Sequence, residues 1–410
     1  MAKEGNMAQR ANAWRCISGF HGELTAIRRD IHAHPELGFQ ETRTAALIAR
    51  ALKDYGVDEV HNGVGRTGVV GVLRGSRQGS GSVGLRADMD ALPIAELGEC
   101  AHRSVHQGLM HGCGHDGHVT MLLGAARYLA STRDFAGTVN FFFQPGEEGY
   151  AGAREMVDDG LFERFPCDTV YALHNWPSLA VGSVAVSAGP MMAARDDFWI
   201  RIKGVGGHGA MPHRTVDPVV AAAAVISSLQ SIVSRNVDPA QCAVVTIHSI
   251  QAGTAIEPGT PTQSVTVPPH VDIAGIAKWF DRHTGALLKR RIAEVAHGCA
   301  ATHGATAEVS YLEFLPPTIN DGTAASVVAA AATQLLGSGK VHLNPEPSMA
   351  SEDFSFMLSA RPGAYFWLGT GDSAPSLHSP HYDFNDEVLP IGASVLASIA
   401  EMALMSRRTA

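Results

Sequence analysis

Long apolar runs, basic blocks, closely spaced cysteines and aromatic residues are all scarce in this 410-residue chain. No run of about 18 consecutive apolar residues occurs, so no membrane-spanning helix is expected. Lys and Arg (31) are outnumbered by Asp and Glu (40) and interspersed with them, for a net charge of -9. Without a basic stripe, nucleic acid and anionic lipid are excluded as expected partners, which leaves a small molecule or a second copy of the chain. Six scattered cysteines neither build a disulfide framework nor supply a CxxC dithiol, and both absences fit a reducing compartment. The opening "MAKEGNMAQRANAWRC" lacks the apolar core of a secretory signal, so a cytoplasmic location is expected.

What remains is an ordinary globular composition, 45% hydrophobic and 17% charged, on a chain long enough for two cores. The first part alternates short β-branched runs ("TGVVGVLRG", "SVGLRAD", "TVNFFFQ", "DTVYALHN") with a helical pattern, "HVTMLLGAARYLAST". This predicts an α/β fold with a mixed, largely parallel sheet flanked by helices. Near residue 190 the texture changes to a βαββαβ-like unit, with Pro218 opening an Ala-rich helix. Residues 190–315 are therefore expected to form an inserted α+β satellite domain, and 1–189 with 316–410 a catalytic domain.

The segment "HGCGHDGH" places Cys113 and His115 in a glycine-flanked turn that begins a helix. Glycine lets the two side chains converge and a helix start favours thiolate, which suits a metal. A polar loop and a reactive thiol are the alternatives. Downstream, "FFFQPGEEG" sets Glu147 and Glu148 after an apolar strand, so that one carboxylate can bind a metal while the other serves as a base. His174 ends another strand, His378 lies in "LHSPHYDFND", and "LRADMDALP" ends on Asp88 and Asp90, which can orient histidine ligands. Five such donors exceed what one tetrahedral Zn2+ takes, and two ions sharing a ligand account for the surplus.

These segments, with "RRDIHAHPELGFQE", "ALHNWP", "GVGGHGAMPH" and "SEDFSFML", resemble the co-catalytic metal amidohydrolases of the aminoacylase, hippurate hydrolase and auxin-conjugate hydrolase family, of glutamate carboxypeptidase-like fold. The resemblance implies that Cys113, His115, Glu148, His174 and His378 bind two divalent ions, Zn2+ by ligand softness or else Mn2+ or Co2+. Cys113 would bridge, with His115 and His174 on one ion and Glu148 and His378 on the other. Glu147 would be the general base, Asp90 a support behind the ligands, and Glu352 a neighbour of the site. His208 would hydrogen-bond the substrate and the oxyanion once the domains approach, and reach the partner subunit's site. The implied reaction is hydrolysis of N-acyl amino acids, of hippurate or N-acetyl type, in a dimer or tetramer formed through the satellite domain. A dipeptidase or a biosynthetic N-acetyl-amino-acid deacetylase is the alternative within the fold.

One stretch departs from that family. After Gly253 the sequence reads "GTAIEPGTPTQSVTVPPHVDIAGIAKWFDRHTG", without the asparagine and arginine that the family carries there near its substrate. Its prolines argue against an ordinary central strand. A local divergence and a shifted reading frame both explain it, and a metal-binding homologue without activity is the corresponding rival of another class. None of the implied metal ligands lies in the stretch.

Overall fold

The computed structural model describes residues 13–254, 259, 265–371 and 375–405. The chain divides into two compact units: the first comprises residues up to Met191, Thr318–Glu346 and the chain from Asp353 on, and the second Met192–Pro317 with Pro347–Glu352. Each has its own buried apolar cluster, as expected when a chain outgrows one core.

The first unit begins with helix α1 (His21–Ala33) and strands β1 (Glu59–Val64), β2 (Gly68–Arg74) and β3 (Arg77–Asp88). Helix α2 (His115–Thr132) follows, then β4 (Ala136–Gln144), β5 (Thr169–Trp176) and β6 (Val184–Val186). The "NFFFQ" end of β4 is buried on both faces, which is why it reads as a continuous apolar run rather than an alternation. Helix α2 is buried nearly all round, so its apolar residues show no single stripe.

In the second unit, β7 (Arg195–Lys203) leads to α3 (Pro218–Leu229), β8 (Ala243–Ala252), β9 (His270–Trp279), α4 (Arg282–Thr302) and β10 (Thr306–Leu315). The four strands form one antiparallel sheet in the order β8-β9-β7-β10. Alternating burial along β7 and β9 marks a sheet with one apolar face turned to its core. Asp217 caps α3 by accepting from Val219 N–H, and Asp281 caps α4 by accepting from His283 and Thr284 N–H. Residues 255–258 and 260–264 of the departing stretch lie outside the described residues. Beyond them the chain recovers regular structure: β9 starts one residue after Pro269 and occupies a central position. Pro268 and Pro269 thus precede this central strand, where no ladder hydrogen bond needs their missing N–H.

The chain returns to the first unit with α5 (Gly322–Leu336), β11 (Val341–Leu343), β12 (Gly363–Gly369) and α6 (Leu389–Met405). The eight-stranded sheet runs β1-β2-β4-β3-β5-β12-β6-β11. Pairs β3/β4, β3/β5, β5/β12 and β6/β11 are parallel, and β1/β2, β2/β4 and β6/β12 antiparallel, so the parallel strands hold the centre. The sequence reading kept 316–410 together. The structure instead groups Pro347–Glu352 with the second unit, because Ala193 N–H donates to the Ser348 carbonyl (3.0 Å) and Lys278 Nζ to Ser351 Oγ (2.9 Å). Residues 386–405 are long and apolar enough to cross a membrane by composition, yet 83% of that window is buried inside the fold, as in a core helix.

Two substitutions test this packing. A Cβ on Gly117 of α2 would lie 2.3 Å from the Phe384 ring. Gly117→Ala is therefore expected to destabilise by about 1–3 kcal/mol despite alanine's better helix propensity, with Phe384→Leu restoring part of the loss in thermal melts. The second concerns His32. Burial opposes its charge, but hydrogen bonds to Asp116 and Glu96 outweigh burial and raise its pKa from 6.5 to about 9. A raised folded-state value means that this stabilisation is complete below pH 6.5 and fades as pH climbs to about 9. Denaturant melts at pH 6.5 and 9 are expected to show that decline in the wild type and a flatter profile in His32→Gln.

Candidate metal centre

Strands β4, β3 and β5 are neighbours and run parallel, so their carboxyl ends open on one side of the sheet, where open α/β folds place their sites. The loops leaving those ends carry Asp88 and Asp90, Glu147 and Glu148, and His174 with Asn175. Cys113 and His115 come from the start of α2. Its N-cap, Gly114, has φ +89°, and a Cβ there would lie 2.5 Å from Asn175 Oδ1, so glycine is required by conformation and by space. The loop with His378 is tied alongside by His378 N–H donating to the Gly112 carbonyl at 2.8 Å. His378 itself sits at φ +65°, a conformation a histidine adopts at a cost.

Cys113, Glu148 and His378 each offer a donor atom within 4.8 Å of the other two, and so do His115, Glu147 and Glu148. Cys113 Sγ also lies 3.5 Å from His174 Nε2, and Glu148 Oε1 lies 3.3 Å from His378 Nε2 and 4.0 Å from His115 Nε2. The five residues singled out as ligands therefore converge, with Cys113 and Glu148 central. Each histidine deep in the cluster is turned by a hydrogen bond on its other nitrogen: His115 Nδ1 to the Asp90 carbonyl (2.9 Å) and His174 Nδ1 to the Asn175 carbonyl (2.8 Å). That fixes Nε2 as the free donor in both.

His115 Nε2 is buried without a hydrogen-bond partner, and the buried Glu148 Oε1 makes no well-aligned hydrogen bond although His378 Nε2 lies 3.3 Å away. Such atoms cost about 1–3 kcal/mol each, and a cation between them removes the cost. The local charges agree. Burial pushes the Cys113 thiol well above its ordinary value, and the carboxylates of Glu148, Glu147 and Asp88 push it further. Without a cation it stays a thiol, which argues against a reactive redox cysteine. Burial opposes a charged His115, but Asp88, Asp90 and Glu148 prevail and raise it to about 10. Burial and the neighbouring His118 keep His174 neutral, well below its usual range. Two divalent cations would take the place of these protons, so the donor set fits a dinuclear centre.

Asp90 is buried and accepts from Glu147 N–H (3.0 Å) and Glu148 N–H (2.9 Å), one on each carboxylate oxygen. Glu147 is half-buried beside the cluster, where Asp353 N–H reaches its Oε1 at 3.4 Å. Of the adjacent carboxylates in "SEDF", the one built into this unit is Asp353, which accepts from Arg86, Gln144 and Ala153 N–H. Glu352, chosen from the sequence, closes the 347–352 segment of the second unit. His208 also belongs to the second unit, on a short Gly207–His208 pairing with Thr266–Val267, where its ring is exposed and accepts from Ala210 N–H.

The sequence reading did not assign roles to His118, Asn175, Tyr382, Arg86 or Asp353. His118 had a signal, since it lies three residues after His115 and so shares its helix face. The structure engages both its nitrogens, Nδ1 with Asp88 (2.5 Å) and Nε2 with Asn175 N–H (3.1 Å), which leaves no free donor for a metal. Arg86 and Asp353 are 267 positions apart and carried no local signal.

Comparison with known proteins gives the same architecture. The model of Peptidase family M20/M25/M40 matches residues 84–402. Hippurate hydrolase of Campylobacter jejuni is 40% identical over 384 residues, covering 94% of this chain and 97% of its own length. N-acetylcysteine deacetylase of Bacillus subtilis is 37% identical over 386 residues, covering 94% and 98%. Among solved structures, the Bacillus subtilis YxeP protein, a dinuclear metal binding peptidase from the M20 family, aligns with a TM-score of 0.81 at 34% identity, covering 95% of this chain and 99% of its own. On the strength of the matched span and these relatives, the chain belongs to peptidase family M20/M25/M40.

Proposed function

We propose that this protein is a metal-dependent amidohydrolase that cleaves N-acyl amino acids of hippurate or N-acetyl type into a carboxylic acid and a free amino acid. The observation that carries the reading is the convergence of Cys113, His115, Glu148, His174 and His378 around buried donor atoms that lack well-aligned hydrogen bonds, with a further carboxylate, Glu147, beside them. Relatives named hippurate hydrolase and N-acetylcysteine deacetylase support the substrate class.

In this reading Cys113, His115, His174, Glu148 and His378 would hold the two ions, with Cys113 shared, His115 and His174 serving one and Glu148 with His378 the other. The thiolate and imidazoles favour Zn2+, while Mn2+ or Co2+ suits the carboxylate and imidazoles. When bound, divalent ions supply Lewis acidity, making water acidic near neutral pH and polarising a carbonyl. Glu147 accepts the proton of the attacking water and delivers it to the amide nitrogen as the C–N bond breaks. Asp90 holds the backbone of Glu147 and Glu148 so that adjacent carboxylates keep different tasks. We assign to His208 the hydrogen bond to the substrate carbonyl as negative charge develops there, which its exposed ring supports.

We further propose a cytoplasmic homo-oligomer formed through the second unit. Six free cysteines support the reducing compartment, and the edge strand β8, paired on one side, supports the interface.

The first test is hydrolysis of hippurate and a set of N-acetyl and longer N-acyl amino acids by chelator-treated protein, before and after Zn2+, Mn2+ or Co2+ is restored. Metal-dependent release of free amino acid is expected. Silence across the set with metal bound would favour an inactive homologue altered in the stretch after Gly253. Glu147→Gln and His208→Ala are both expected to retain metal stoichiometry, the first losing at least about a hundredfold in turnover and the second a smaller but clear factor. Metal loss in Glu147→Gln would make that residue a ligand, and unchanged kinetics in His208→Ala would remove it from the reaction.

A further inference from the structure

Asn175 touches the strand of His174, the helix that begins with His115 and the loop that carries His378. Its carbonyl meets the Nδ1 of His174, the ligand before it on β5, at 2.8 Å. His118 Nε2 on α2 lies 2.5 Å from the Asn175 side-chain Oδ1 and 3.1 Å from the Asn175 backbone nitrogen, so the ring meets Asn175 in either tautomer. The other end of the amide reaches the hydroxyl of Tyr382, at 2.7 Å, on the loop that carries His378. His118 passes the connection on to Asp88 at the end of β3 and packs edge-on against His174, with ring centroids 4.5 Å apart. Asn175, His118, Asp88 and Tyr382 are all buried, so no water competes for these bonds. Gly114 lacks a Cβ where one would strike the Asn175 amide, so the turn bearing Cys113 and His115 is shaped around it.

We infer that Asn175, through His118 and Tyr382, is a positioning residue that ties the His174 strand, the Cys113–His115 turn and the His378 loop into one frame for the metals. The inference rests on the metal-centre reading above and adds residues that are not ligands. The loop needs such a tie most. The His378 side chain is 51% exposed and its backbone is left-handed; Leu97 N–H to the Pro380 carbonyl and Arg28 to Asp383 tie the outer loop, while the Gly112 bond and Tyr382 tie it on the side of the centre. A ligand free to swing away weakens the metal it shares, and partners behind the ligands typically govern affinity by about 10- to 100-fold.

The test is Co2+ titration of chelator-treated full-length protein, followed by visible absorption, for the wild type, Asn175→Ala, Tyr382→Phe and the double variant. Tyr382→Phe keeps the ring and its packing, so it is the variant expected to fold normally. Each single variant is expected to bind Co2+ about 10- to 100-fold more weakly with altered absorption bands, and the double to be no worse than the weaker single because one bridge is broken in each. A merely structural role would lower the melting temperature and leave the bands of bound Co2+ unchanged, and that result overturns the inference. So does wild-type affinity in both single variants, or losses that add in the double. Failure of the wild type itself to take up Co2+ would instead overturn the metal-centre reading and this inference with it.

Discussion

Asp90 accepts the backbone N–H of both Glu147 and Glu148 while its own carbonyl orients His115, and the rest of the site depends on that arrangement. Neighbouring residues in a chain usually compete for the same direction. Here a turn with Gly146 and Gly149 at positive φ, clamped by one buried carboxylate, fixes the backbone of two adjacent carboxylates. The clamp works because β3 and β4 are adjacent and parallel, so that the loop after one strand reaches the loop after the other.

Charge balance is the second constraint. Asp88 lies between Arg86 and His118, and although burial opposes its charge, Arg86 foremost and then His115 and His118 hold it well below the usual carboxylate range. Arg86 spans Asp88 and Asp353 and so links the end of β3 to a segment far along the chain. Buried ion pairs of this kind add little net stability after desolvation, but breaking one strands a charge, so they hold geometry more than they stabilise the fold. Arg28 plays the same part beside the site, where it joins Asp116, Asp383 and Asp386. Such a framework suits a centre whose donors must stay in place when their protons leave.

Much was legible in the sequence. The helical period after "HGCGHDGH", the apolar run before "QPGEEG" and the change of texture near residue 190 are local signals that packing reinforces. The ligand-type residues stood out because Cys, His and Glu at strand ends have few reasons to be there other than chemistry. The return of Pro347–Glu352 to the second unit and the pairing of Asp353 with Arg86 were not legible. Both depend on hydrogen bonds to residues some 70 to 270 positions away. The prolines after Gly253 suggested a damaged strand, yet β9 forms because its own residues, from His270 on, alternate correctly for a sheet with one buried face.

The sequence by itself determined the element types, the α/β class and the inventory of donor residues, because periodicity and residue chemistry are properties of short segments. The tertiary structure alone decided which nitrogen of His115 and of His174 is turned inward, that Asp353 meets Arg86, and that Asn175 and Tyr382 meet behind the cluster. Those outcomes follow from which distant backbone groups and charges meet in a buried space. There an unmade hydrogen bond is costly, and no local pattern records who the partner is.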